Sequence, residues 1–154
     1  MAWLVRWALV MSDPVPTLIV CTTCRAKDVG RASRSGGEIF LQTLGTVLAE
    51  RSDMAGLQLQ PMACLFACAS HCVVYIRAAK KMGYLLGRFP PDRLSAQALL
   101  DYIAHYMDSV TGEVPYEYWP ELIKGRFIAR IPPEGLVGVE SAPCEILVEK
   151  QELS

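Results

Sequence analysis

Six cysteines occur in this chain of 154 residues, and five of them fall in two short stretches. Cys21-Thr-Thr-Cys24 is a C-x-x-C pair. Cys64-Leu-Phe-Ala-Cys68-Ala-Ser-His-Cys72 is a C-x3-C-x3-C run. The sixth, Cys144, stands apart near the C terminus. Thiols at such spacings can reach one metal ion or each other, and in a reducing compartment they are more often ligands or redox groups than structural disulfides. Four thiolates suffice for a [2Fe–2S] cluster or a structural zinc. Soft sulfur donors favour iron–sulfur, zinc or copper(I) over magnesium or calcium. Buried cysteine also packs well as a small hydrophobe, but that accounts poorly for five thiols in two clusters.

The residues around the cysteines say how the clusters could meet. Thr17-Leu-Ile-Val-Cys21 is a short apolar, β-branched run, so it reads as a buried strand ending at a cysteine. A polar loop rich in Arg, Ser and Gly follows from Thr22 to Gly37. Ser35-Gly-Gly-Glu38 has the spacing of a capping box and predicts a helix running to about Arg51, with Phe40, Leu44, Val47 and Leu48 on one apolar stripe. Leu57-Gln-Leu-Gln alternates and predicts a second strand up to Pro61. The dense cysteine loop then leads into a strand over Val73–Arg77, a turn at Ala78–Lys81 and a returning strand over Tyr84–Gly87. After the Pro90-Pro91 break, Ser95 is the expected N-cap of a second helix to about Asp108, with Leu99, Ile103 and Tyr106 facing inward. Phe127–Ile131 is one more expected strand, and Glu145–Glu149 another in the tail. The order β-α-β, hairpin, helix predicts an α/β fold with helices packed on a short mixed sheet. Both cysteine loops follow the carboxyl ends of strands, which can lie side by side at one end of a sheet.

Composition narrows the class. Hydrophobic residues make up 52% of the chain and charged residues 20%, enough for a core in one compact domain. The net charge of -1 argues against a nucleic-acid binder that relies on a broad basic surface. The apolar start, MAWLVRWALV, is ten residues long, against about 20 needed to span a bilayer. No small-residue cleavage site follows it, so a cytoplasmic protein is expected. Residues 1–16 read as an N-terminal extension, and Met11 is an alternative start. Residues 17–133 read as the cysteine-bearing domain and 134–154 as a C-terminal tail. No P-loop, dinucleotide glycine motif, HExxH or GxSxG occurs, and the chain is not expected to be an enzyme.

Two resemblances bear on the cysteines. Cys64-Leu-Phe-Ala-Cys68-Ala-Ser-His-Cys72-Val-Val-Tyr resembles the second cysteine pair of thioredoxin-like [2Fe–2S] ferredoxins, where C-x3-C precedes a Val-Val strand. More closely, the chain resembles a family of small bacterial proteins described only as predicted metal-binding. The shared features are the strand-CTTCR start, the C-x3-C-x3-C loop, Lys81-Met-Gly-Tyr84-Leu-Leu-Gly87, Gly112-Glu-Val-Pro115, Pro120-Glu121, Lys124-Gly125 and Ala129-Arg-Ile-Pro-Pro133. This likeness spans about Thr17 to Pro133. It implies a thioredoxin-like ferredoxin fold with a short mixed sheet and two main helices. It also implies a [2Fe–2S] cluster on Cys21, Cys24, Cys64 and Cys68, with Cys72 as a surplus or replacement ligand and Cys144 as a bystander. The family's association with cobalamin-synthesis genes hints at electron supply or metal handling. Two departures stand out: the ferredoxins space their first two cysteines more widely than C-x-x-C, and they carry a proline near the position of Cys72.

Three functions compete on this reading. The first is a ferredoxin-like electron carrier serving an unidentified redox partner protein, with a homodimer as an open arrangement and neither nucleic acid nor a membrane span involved. The second is a non-redox protein that holds zinc or delivers cobalt or another thiophilic metal. The third is a thiol–disulfide oxidoreductase using Cys21 and Cys24, which leaves Cys64, Cys68 and Cys72 without a role. Arg25, Lys27, Arg31 and Arg34 could lower thiolate pKa values and steer an acidic partner, or form an ordinary solvated loop. His71 fits an ordinary loop residue best, a hydrogen-bond donor beside the ligands next, and a ligand least. His105 lies on the second helix, so a Rieske-type site is a poor fit. Tyr116, Tyr118 and Trp119 read as a docking surface or as a loop pinned to the core.

Overall fold

The computed structural model describes residues 15–23 and 35–135, apart from the side chain of Cys68. Five strands form one mixed sheet: β1 (Thr17–Cys21), β2 (Gln58–Met62), β3 (Val74–Arg77), β4 (Gly83–Leu86) and β5 (Phe127–Ile131), in the order β2-β1-β3-β4-β5. β1 runs parallel to β2, with Cys21 opposite Met62. The pairs β1–β3, β3–β4 and β4–β5 are antiparallel. Two helices complete the fold, α1 (Gly36–Ala49) and α2 (Arg93–Asp108). The protein is therefore α/β, with a β-α-β unit, a hairpin, a helix and a final edge strand. A short mixed sheet with two main helices is the α/β arrangement that the sequence reading expects.

Burial explains the layering. Leu18, Val20, Val74, Ile76, Tyr84 and Leu86 pack in one cluster with Phe40, Leu44 and Val47 of α1 and Leu99, Ile103 and Tyr106 of α2. Strand side chains alternate between faces, so these even-numbered residues mark the helix side of the sheet. Cys21 and Val73 form a second cluster with Leu65, Ala67 and Leu85. This smaller cluster sits on the other face, where the cysteine loop folds back over the sheet.

The first helix begins where the sequence predicts. Ser35 is the N-cap, and its Oγ accepts from the Glu38 N–H at 3.1 Å. The reciprocal bond from Glu38 that completes a capping box is absent among the described residues. Ser35 instead donates its hydroxyl proton to the Thr22 carbonyl, which ties the helix start to the residue after Cys21. The second helix corrects the expected N-cap: Asp92, not Ser95, caps it. The Asp92 carboxylate accepts the Ser95 N–H at 2.8 Å. The first turn bears Arg93 and a largely exposed Leu94, so the apolar stripe starts later than the helix does. β2 begins one residue after the expected Leu57, because the Leu57 N–H closes a turn on the Met54 carbonyl at 3.0 Å. The expected strand at Glu145–Glu149 lies outside the described residues.

Candidate metal centre

The end of the sheet that carries Cys21 is built by close backbone approaches. Cys21 is the last residue of β1, and its N–H donates to the Val73 carbonyl at 2.9 Å. The next residue, Thr22, donates its N–H to the Met62 carbonyl at 2.8 Å. The two cysteine stretches, about forty residues apart in sequence, thus leave neighbouring strands at the same end. Gly37, in the first turn of α1, lies against Cys21. A Cβ there would stand 2.0 Å from the Cys21 carbonyl oxygen. Only glycine permits that approach.

The described thiols are placed as follows. Cys21 is 1% exposed, and its Sγ lies 3.8 Å from the Ala63 carbonyl oxygen and 3.8 Å from the Thr23 hydroxyl. Cys64 is half-buried and its Sγ accepts the Phe66 N–H at 3.3 Å. Cys72 is fully buried in the main core and has a φ of 50°, a left-handed conformation that a non-glycine residue adopts only when its surroundings enforce it. No disulfide joins Cys21, Cys64 and Cys72 to one another. Burial pushes the Cys72 thiol up to about 11, and the proximity of Cys21 adds to the rise. Without a cation to offset the charge, Cys72 is therefore a neutral thiol at pH 7.

Of the expected ligands, Cys21, Cys64 and Cys72 are thus brought to one end of the sheet. The Cys68 backbone, in a short 3-10 turn over Cys68–Ser70, lies in the same loop. Cys24, Cys144 and the basic residues Arg25, Lys27, Arg31 and Arg34 lie outside the described residues. Among the described residues, no group of three His, Cys, Asp or Glu side chains is close enough to hold a metal ion. His71 is half-buried next to Cys72. His105 is exposed on α2 and stacks on Tyr118 at 5.4 Å, so it does not join the cysteines. Trp119 is pinned by its indole N–H to the Val114 carbonyl at 2.8 Å, whereas Tyr116 and Tyr118 stay exposed. Two surface clefts, of about 520 and 370 Å³, are lined by other residues and by no cysteine.

Sequence reasoning missed the fastener that holds the cysteine loop. The Arg88 N–H donates to both the Ser70 carbonyl at 2.7 Å and the His71 carbonyl at 2.8 Å. Gly87 lies under the loop, where a Cβ would come within 2.7 Å of the Ser70 carbonyl oxygen. The Gly87 N–H donates to the Arg126 carbonyl at 2.9 Å, Arg126 donates a guanidinium proton to the Arg88 carbonyl, and Arg88 donates one to the Gly125 carbonyl at 2.6 Å. The glycines of Lys81–Gly87 and Lys124-Gly125 were the available signal, since isolated glycines mark close backbone approach.

The chain belongs to the family described as "Protein of unknown function (DUF1636)", whose model matches residues 18–133. No curated protein matches it. Among solved structures it is similar to a thioredoxin-like [2Fe-2S] ferredoxin from Aquifex aeolicus, with 16% identity and a TM-score of 0.49 over 79% of this chain and 97% of that one. No helix among the described residues is long and apolar enough to cross a membrane.

Proposed function

We propose that this protein is a small electron carrier whose [2Fe–2S] cluster is held by Cys21, Cys64, Cys68 and one of Cys24 and Cys72. The observation that carries the reading is the arrival of Cys21 and of the Cys64–Cys72 loop at one end of the sheet, with Cys21 bonded to Val73 and its sulfur beside Ala63. The donor set fits the group in kind: five thiols in two stretches, with backbone contacts holding Cys21 and the Cys64–Cys72 loop. When bound, the cluster would supply reversible one-electron chemistry. The chain's own part is to hold the thiolates, keep the Cys21 side bulk water out with Leu65, Ala67 and Leu85, and present the loop edge to a partner. Main-chain N–H groups aimed at cluster sulfurs and nearby positive charge both raise the potential of such centres. A second reading, non-redox binding of zinc or cobalt, is favoured by the fifth thiol, because a surplus ligand suits a site that exchanges its metal.

The protein purified anaerobically from iron-replete cells, or reconstituted with iron and sulfide, should be brown. It should contain two irons and two sulfides per chain and bleach with dithionite. Colourless protein that holds zinc or cobalt tightly and refuses iron and sulfide would replace this reading with the second. Cys24→Ser and Cys72→Ser separate the two candidates for the fourth ligand: loss of the true one abolishes or shifts the visible spectrum.

A further inference from the structure

We infer that the cleft formed by β5, Tyr84 of β4 and the Glu113–Trp119 segment is a binding site for a small, neutral, aromatic molecule that carries a hydrogen-bond acceptor such as a ketone carbonyl. The cleft has a volume of about 370 Å³, at the small end of the range for ligand sites and enough for one or two fused rings. Its lining is largely aromatic. Tyr84, Trp119 and Phe127 contribute to it, with the Trp119 and Phe127 rings 4.5 Å apart and Tyr84 edge-on to Phe127 at 5.5 Å. Such rings favour a flat aromatic guest, stacked or edge-on. The Trp119 indole N–H is already engaged by the Val114 carbonyl, so this residue offers apolar surface and no free donor. Val114 and Ile128 add aliphatic walls. Ile128 owes its place to a β-bulge: Leu85 pairs with Ala129 and Leu86 with Phe127, which leaves Ile128 as the extra residue of β5. Bulges at sheet edges commonly re-aim a side chain beside a site.

Three polar groups decide what the cleft takes. Arg130, opposite Tyr84 in the sheet, and Glu113 both line the cleft and pair with one another. Their charges cancel, so the cleft selects neither an anion nor a cation. The third group is the Tyr84 phenol. Tyr84 is 7% exposed, yet among the described residues its hydroxyl has no hydrogen-bond partner. Burial pushes this phenol up, which keeps it a neutral donor at pH 7. Hydroxyls buried to this degree are ordinarily partnered. Tyr102 backs the same rings: it packs edge-on against Tyr84, Trp119 and Phe127, and its own hydroxyl is buried without a partner. Two phenols in one aromatic patch thus carry donors that the fold does not use, and an acceptor on a guest in the cleft would satisfy the one on Tyr84. No cysteine lines the cleft, so the inference stands independently of the proposed metal centre.

The test titrates the full chain, with its methyl groups labelled for NMR, with three probes. They are 1-indanone, indane, which has the same rings without the carbonyl, and indane-5-carboxylate, which adds a negative charge. 1-Indanone should cause saturable shifts of the Val114 and Ile128 methyls. Indane should bind roughly fivefold more weakly, the ordinary worth of one hydrogen bond, and the carboxylate should gain nothing over 1-indanone. Tyr84→Phe keeps the ring and removes only the hydroxyl, so it should bind 1-indanone and indane equally. Ile128→Ala should weaken both probes while leaving circular dichroism unchanged. Absence of saturable shifts at the two methyls, equal binding of 1-indanone and indane by the parent, tighter binding of the carboxylate, or a preference for 1-indanone retained by Tyr84→Phe would overturn the inference.

Discussion

Two glycines of α1 allow one substitution to be tested with opposite outcomes. At Gly37 an added Cβ meets backbone: the Cys21 carbonyl oxygen at 2.0 Å, its carbon at 3.0 Å and the Thr22 Cα at 3.1 Å. No rotamer change relieves that contact, so either the first turn of the helix or the end of β1 must move. Overpacking costs about 1–3 kcal/mol, and a backbone obstacle belongs at the top of that range. Alanine regains about 1 kcal/mol of helix propensity over glycine. Gly37→Ala is thus expected to destabilise by about 2 kcal/mol. At Gly45 the nearest atom to an added Cβ is the Leu59 Cδ2 at 3.8 Å, an ordinary contact, so Gly45→Ala should stabilise by about 0.5–1 kcal/mol. Urea unfolding reads both. With an m-value of about 2 kcal/mol/M, the midpoint should fall by about 1 M for Gly37→Ala and rise by roughly 0.3–0.5 M for Gly45→Ala. A Gly37→Ala protein as stable as the parent, or shifts of the same sign in both, would refute the argument that Cys21 is seated against the start of α1. Because either the helix start or the end of β1 that carries Cys21 must shift to admit the methyl, iron loading should fall in Gly37→Ala and hold in Gly45→Ala.

Other expectations follow from single contacts. The Tyr102 hydroxyl is buried and has no hydrogen-bond partner among the described residues. Leaving such a group unsatisfied costs about 1–3 kcal/mol, so Tyr102→Phe should raise the melting temperature, and a fall would show that the hydroxyl is satisfied in solution. Ser35→Ala should cost about 1 kcal/mol through loss of the cap. Ser35→Asp should restore the cap on Glu38 but not the donation to Thr22, so urea unfolding should place it between Ser35→Ala and the parent. The Arg51 guanidinium beside Asp53 holds that carboxyl below its ordinary range. A depressed carboxyl stabilises the fold above its unfolded pKa and loses that contribution as the pH falls through the folded value. Arg51→Met should therefore flatten the acid limb of a stability-against-pH curve, and an unchanged limb would deny the ion pair any part in it.

The elements that the sequence made legible are those whose signals are local. β1, β5 and the start of α1 follow from an apolar run, a β-rich run and a Ser cap, each written within a few residues. The start of α2 was misplaced because Asp92 and Ser95 both suit an N-cap, and the exposed Leu94 interrupts the apolar stripe that would have marked the first turn. The cysteine motifs and the strand ends indicated which end of the sheet Cys21 and the Cys64–Cys72 loop would share. They could not show that Cys72 would be swallowed by the core, since that depends on the left-handed turn at Cys72 and on the loop's return over β4. The support from Arg88 and Arg126 was equally hidden. Its bonds run from main-chain and guanidinium N–H groups to main-chain carbonyls mostly far away in sequence, and no local residue pattern encodes them.

Those bonds give the stretches outside the cysteines a common purpose. Lys81 donates to the Tyr106 and Met107 carbonyls at 3.3 and 2.7 Å, closing the C-terminal end of α2. Tyr84 packs edge-on against Tyr102, Tyr106 and Phe127 beneath that helix. Gly87 then admits the Ser70 carbonyl, and Gly125 and Arg126 lock onto Arg88. Read along β4, Lys81-Met-Gly-Tyr84-Leu-Leu-Gly87 runs from the helix it secures to the loop it receives. Glycines, main-chain N–H groups and guanidinium groups thus hold the Cys64–Cys72 loop from two directions. Holding several thiols in fixed relation demands that bracing, since a ligand set left to a loose loop loses its geometry. The bracing is thus a physical argument, beside the cysteine spacing, for the role proposed for the Cys64–Cys72 loop.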